Sequence, residues 1–510
     1  MAQTLKPPAT QRIYDVCIVG SQLGGIVAGA LLARRNFRVL HVSHDDLGPT
    51  YSDQGYVLPW APAVVPSPRQ MPSAEAVLAE LGLATDISRA LEPSNPDLQL
   101  LLPRHRVDLP RDPALLRAEL RREWPQDAEK LEAGFAELGT LFDFAGFFLK
   151  AAPPLPPDGF GEKRAVRKAV KLAGTAPNAP RDEVGEARPF AQLGDHELVQ
   201  SLGVAHRFLT YLDGAPAPLS MVRLLGGALR GTHRLAAGEG LLREMIRRRI
   251  AESRGELRGG PGEPAPAVAL DVDDNRVVSV RLADSPDAHV ARAFVVAADA
   301  EAVLRLLPVG ISGSRGAQRL ARIRPSRRLL SLNLVVKAGA LPPALGENVL
   351  ALRDGAGGDG IENAVFMQVL PARRDVKKGA GEPVADERVV CASAFVPAGV
   401  RERPAVEAAA ARIREAVADA IPFFERHLVA ESAPDLAAAN AARPLDHPLY
   451  EADLDSTLGV TGLPVRGPLK NLFFAGREVL PGLGIEGEFY AGIEAAGHVA
   501  AALGRKDVLK

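Results

Sequence analysis

Between Asp15 and Leu31 an apolar run, Asp15-Val-Cys-Ile-Val, breaks at Gly20-Ser-Gln-Leu-Gly24-Gly25 and resumes as Ile-Val-Ala-Gly-Ala-Leu31. Buried strand, glycine turn and helix in that order open a dinucleotide-binding fold. In the usual G-x-G-x-x-G spacing the first Gly makes the tight turn and the second lets the backbone approach a pyrophosphate. The third packs helix on strand. Gly20, Gly24 and Gly25 keep the turn and the close packing, but Gln22 stands at the second position. The second strand, Arg38 to Val42, is followed by Ser43 where an acidic residue would hold an adenosine ribose. The fold signal is intact, and the cofactor contacts are altered at two places.

A chain of 510 residues exceeds what one core usually serves, so two domains, or one discontinuous domain with an insertion, are expected. Its 61 basic and 62 acidic residues leave no field suited to nucleic acid, which directs attention to a small molecule or lipid. Cys17 and Cys391 each sit in an apolar run without C-x-x-C spacing, as expected of buried packing residues in a reducing compartment. The first ten residues lack the order of a signal peptide, and no uncharged apolar run reaches about 18 residues. A cytoplasmic protein is expected, with attachment to a membrane surface open.

The pattern predicts an α/β chain: a discontinuous Rossmann-like FAD/NAD(P)-binding domain with an inserted α+β substrate domain. The first is assigned residues 1–70, 235–305 and 455–510, and the second 71–234 and 306–454. Residues 151–190, rich in Pro and carrying Lys163-Arg-Ala-Val-Arg-Lys-Ala-Val-Lys171, read as an exposed excursion with a short helix. A hairpin is expected around Asp273 to Arg276, a buried strand at Asn471 to Gly476, and an Ala-rich helix from Gly487 to Leu503.

The two ends, taken together, resemble the phytoene desaturase and carotenoid isomerase family of flavoproteins. Tyr14 to Ala33 is similar to its opening, and Asn471-Leu-Phe-Phe-Ala-Gly-Arg-Glu-Val-Leu-Pro-Gly-Leu-Gly-Ile-Glu-Gly487 to its closing strand, loop and helix. Leu235 to Leu242 and Phe294 to Asp299 fall where that family has its middle block. The resemblance implies FAD, its pyrophosphate at the first helix N-terminus and its ribityl chain and ring beneath the closing loop. The positions so implicated are Gly20, Gln22, Gly24, Gly25, Ser43, Gly476, Arg477, Pro481, Gly482, Gly484 and Gly487, with Asp45 or Asp46 as substitute ribose ligands.

Desaturation needs a base or cation near a flavin, and Arg477 and Glu478 stand closest by motif, though a structural ion pair is the preferred reading of both; His447 is near enough in sequence to reach the same cleft, though such a histidine is more often a loop residue. The catalytic residues stay unassigned. Signatures of nucleophilic hydrolysis, metal binding and nucleotide hydrolysis are missing. The leading expectation is an FAD-dependent oxidoreductase acting on a hydrophobic unsaturated substrate, a polyene, isoprenoid or lipid, by desaturation, saturation or isomerisation. The alternative is a flavin-less carrier of lipids or prenylated proteins on the same fold, shared with the guanine-nucleotide dissociation inhibitors. The altered Gln22 and Ser43 positions favour it, and the kept glycines of the closing loop count against it. Peripheral membrane contact through residues 141–171, where Phe-rich and basic segments follow one another, is weighed against a core helix with a solvated basic turn, which is preferred.

Overall fold

In the computed structural model of the protein the described residues are 12–44, 48–175, 189–214, 217–235, 238–261, 263–353, 360–375, 381–436, 447–456, 458 and 460–505. Strand β1 (Ile13–Val19) is central to the first sheet, flanked in parallel by β2 (Val39–Val42) and by the strand His289–Val296. Val16, Cys17, Ile18 and Val19 are wholly buried. This is why the strand reads as a continuous apolar run: a parallel strand is covered on both faces. The helix α1 (Leu23–Arg34) supplies one cover and is buried from Leu23 to Ala33. Glu256–Arg258 extends the sheet beyond β2, and Leu472–Phe474 adds in parallel to His289–Val296. The hairpin Ala267–Asp273 with Arg276–Leu282 closes the other edge.

The second, ten-stranded sheet is built on the long antiparallel strands Ile323–Lys337, Ala364–Arg374 and Glu382–Pro397. The helix Arg403–Ala420 buries Val406, Ala409, Ile413 and Val417 against it, in a core separate from the first. Helices Ala128–Lys150, Glu197–Arg207 and Pro218–Ala228 form a cap beside the first sheet. The hairpin Thr50–Asp53 with Tyr56–Pro59, inside the stretch assigned by sequence to the first domain, hydrogen-bonds to the second sheet. Its Tyr51, Tyr56, Leu58 and Trp60 pack there with Val335, Leu370 and Val389. The excursion after residue 150 holds a helix, Phe160–Ala173, yet it begins anchored: Leu155 is buried, and Tyr490 of the closing helix (Gly484–Ala502) donates its hydroxyl hydrogen to the Pro153 carbonyl. No helix among the described residues is long and apolar enough to cross a membrane.

Candidate functional site at the glycine turn

Gly20 leaves β1 with φ +109°, and a Cβ there would lie 2.1 Å from the Ala297 carbonyl oxygen. Only glycine makes this turn. The chain then enters α1, whose first amides point toward the place where a dinucleotide's pyrophosphate would sit. Here a protein carboxylate takes that place. The Leu23 amide donates to Glu488 Oε2 at 2.8 Å, across 465 residues of sequence. Glu488 Oε1 accepts from the Tyr211 hydroxyl at 3.0 Å and from Arg477 Nε at 3.4 Å, and the Arg477 guanidinium lies 5.0 Å above the Tyr211 ring.

Gln22 closes the gap between the two ends of the motif. Its Oε1 accepts from the Arg477 amide at 2.9 Å, and its Nε2 donates to Asp299 Oδ1 at 3.0 Å. Gly476 fits because a Cβ there would come within 2.4 Å of Gln22 Oε1. Asp299 also accepts from the Tyr450 hydroxyl at 2.8 Å, and beside it Glu478 accepts from the Ala300 amide at 2.7 Å. Burial, reinforced by Asp299, holds the Glu478 carboxyl well above the ordinary glutamate range.

The closing loop is covered by the cap's own backbone. Pro481 carbonyl accepts from the Tyr211 amide at 2.9 Å and from Thr210 Oγ1 at 3.1 Å. A Cβ on Gly484, which has φ +52°, would lie 2.2 Å from the Leu209 carbonyl oxygen. Ser220 donates to the Gly482 carbonyl, which leaves its oxygen to accept from His206 Nε2 at 2.7 Å. Burial pushes the His206 imidazole down to about 3, so it stays neutral, with the proton on Nε2. Arg223 grips Glu486 through two bonds of 3.0 and 2.9 Å, both side chains almost fully buried. His447 lies beside this loop, its Nε2 3.2 Å from the Thr210 carbonyl and its ring against Tyr211.

On the adenosine side, Ser43 is wholly buried, its amide bound to the Arg258 carbonyl and its carbonyl to the Ala265 amide. Its hydroxyl has no hydrogen-bond partner among the described residues. Pro49 lies against Gly240, where a Cβ would meet its Cα at 2.2 Å. Asp45 and Asp46 lie outside the described residues.

The fit of FAD to this site follows from these contacts. A groove for a dinucleotide would leave its lining open once the ligand is removed, yet Gln22 is 7%, Arg477 5% and Glu488 2% exposed. The α1 amide and the Arg477 amide are already satisfied by Glu488 and Gln22. Among the described residues, the α1 and closing-loop amides at the motif positions are thus met by the chain's own side chains. Gly20, Gln22, Gly24, Gly25, Gly476 and Arg477 do converge, and Pro481, Gly482, Gly484 and Gly487 continue from them, but they pack against this chain itself. Arg477 and Glu478 are sealed in that packing rather than facing a cleft. Glu488, Asp299, Tyr211 and Tyr450 were missed. The sequence signal for Glu488 was a second acid two residues after Glu486 in a largely apolar, Ala- and Gly-rich helix. No group of side chains able to hold a metal ion occurs among the described residues.

Residues 18–81 match the family model described as an NAD(P)-binding Rossmann-like domain. No curated protein matches the chain in sequence. Among solved structures the chain is similar to an oxidoreductase from Methanosarcina mazei, at 12% identity over 94% of this chain and 99% of that one, with a TM-score of 0.55. It is similar to cyclohexylamine oxidase from Brevibacterium oxydans at 16% identity, over 97% and 100% of the two chains, with a TM-score of 0.55. A putrescine oxidase bound to putrescine matches at 14% identity, over 96% and 100%, also with a TM-score of 0.55. At such identities the likeness is one of fold: the chain is a mixed α/β protein with a Rossmann-like NAD(P)-binding domain, spanning nearly the whole architecture of these oxidases.

Proposed function

We propose that this chain works as a flavin-free binding protein for a lipid-type partner on an oxidoreductase fold. The observation that carries the flavin-free part is the Glu488 carboxylate on the Leu23 amide, with Gln22 on the Arg477 amide: two of the chain's own side chains occupy a donor a pyrophosphate would use and one in the loop that would cover the rest of a flavin. A carboxylate at a helix N-terminus gains the same dipole interaction as a phosphate, so the site is satisfied without cofactor. Of the closing-loop glycines, which by sequence argue for a flavin, Gly476, Gly484 and Gly487 are accounted for by close contacts with Gln22, Leu209 and Leu480, whereas Gly482 has room for a Cβ. The lipid-type partner is an inference from the balanced charge and the unused redox site.

The second reading is an FAD-dependent oxidoreductase acting on a hydrophobic unsaturated substrate. The unpartnered, buried Ser43 hydroxyl at the ribose position favours it, as does the likeness of fold to oxidases. It requires Glu488 to leave the Leu23 amide and residues 209–212 to leave the closing loop. The visible spectrum of the purified full-length protein, taken before and after incubation with excess FAD and gel filtration, separates the two. The proposal expects no flavin bands in either sample; bands retained through the column would overturn it in favour of the oxidoreductase.

A further inference from the structure

The helix Phe160–Ala173 lies far from the filled groove in function and is built differently from its neighbours. Its Val166, Ala169 and Ala173 are buried. Lys163, Arg164, Arg167, Lys168 and Lys171 are exposed, and at 100° per residue they cover an arc of about 140° opposite that buried seam. Phe160 falls within the same arc and is 81% exposed; Leu172, at its edge, is 61% exposed.

An ordinary solvated helix spreads both signs and pairs them at i,i+4. This one does not. Its two nearby carboxylates, Asp158 and Glu162, stand at the N-terminal end and face arginines from other elements: Arg319 at 2.9 Å from Asp158 and Arg466 at 4.0 Å from Glu162. Among the described residues no carboxylate comes within ion-pair distance of the five cations. The chain as a whole carries a net charge of −1, so this density is local.

We propose that the exposed face of Phe160–Ala173 docks on an anionic lipid surface, the five cations over the headgroups and Phe160 and Leu172 dipping into the boundary with the acyl chains. Each cation near an anionic leaflet contributes about 1 kcal/mol, and interfacial aromatic and aliphatic side chains add to this. Nucleic acid fits less well: an exposed Phe and Leu in and beside the cationic arc are apolar anchors, and the rest of the chain adds no positive field.

The inference stands apart from the flavin-free reading and is tested apart from it, by co-sedimentation of the full-length protein with vesicles. Phosphatidylcholine vesicles are compared with vesicles that also contain phosphatidylserine. Binding is expected only to the second, weakening as salt is raised. Replacing the five cations together with Gln is expected to reduce binding by at least ~100-fold. Phe160→Ser with Leu172→Ser, which keeps the charge, is expected to weaken it by about 10-fold while leaving the salt dependence in place. All seven side chains are exposed, and an unchanged melting curve verifies folding. Equal binding to both vesicle types, binding untouched by the Gln variant, or binding to duplex DNA without binding to vesicles would each overturn the proposal. A flavin-containing protein that still binds anionic vesicles would remove the flavin-free reading alone.

Discussion

At the scale of residues the decisive exchange is of a ligand's charge for a side chain's. Glu488 serves three donors at once, the Leu23 amide, the Tyr211 hydroxyl and Arg477, and is 2% exposed. Glu488→Ala leaves Arg477 buried without this partner, so a loss of about 3–5 kcal/mol is expected by denaturant unfolding. Glu488→Gln keeps the shape and part of the bonding and is expected to lose roughly 1–2 kcal/mol. Equal and small effects for both would show that the carboxylate is not seated as described. In the sequence, Gln22 and Ser43 were legible as departures from a fingerprint. What replaces the missing contacts was not, because Glu488 is 465 residues from Leu23 and no local pattern records a contact made only by folding.

At the scale of elements, the closing loop and helix are held by shape and by protons. Gly484→Ala would place a methyl 2.2 Å from the Leu209 carbonyl in a positive-φ backbone. A loss of more than about 3 kcal/mol is expected, read from the urea midpoint at constant slope; a neutral result would mean that the 209–212 segment does not lie on the loop. Glu494, on the same helix, has its carboxyl pushed up to about 7 by burial and then by Glu162. The folded protein thus holds a proton that the unfolded chain releases near 4.5, so stability falls as pH rises from about 4.5 to 7, by at most about 3 kcal/mol from this group. Glu494→Gln is expected to flatten that decline when unfolding is measured at several pH values, leaving a smaller slope from Glu478, which is shifted the same way. An unchanged slope would contradict the assignment. Elements with strong periodicity were readable in advance: α1, the hairpin at 267–282 and the closing helix fall within a few residues of their expected bounds. The hairpin at residues 50–59 was assigned to the wrong neighbour, because its Tyr51, Tyr56 and Trp60 declare burial but not which sheet buries them.

At the scale of the whole molecule, strands from three distant parts of the chain assemble one sheet with a parallel centre, and a separate, mainly antiparallel sheet carries its own core. That order was legible, since a glycine turn at one end and a strand, loop and helix at the other can meet only if the chain returns to its first sheet. Whether the meeting leaves room for a cofactor was not legible, because the same glycines serve close packing and cofactor approach alike. The fold alone does not decide function; the occupant of the α1 N-terminus does. The most direct measurement is a crystal structure of the full-length protein grown with excess FAD. The account predicts the Glu488 carboxylate within hydrogen-bonding distance of the Leu23 amide and Gln22 bridging to Arg477, with no dinucleotide between them; a diphosphate on the Leu23 amide, with Glu488 displaced, would contradict it.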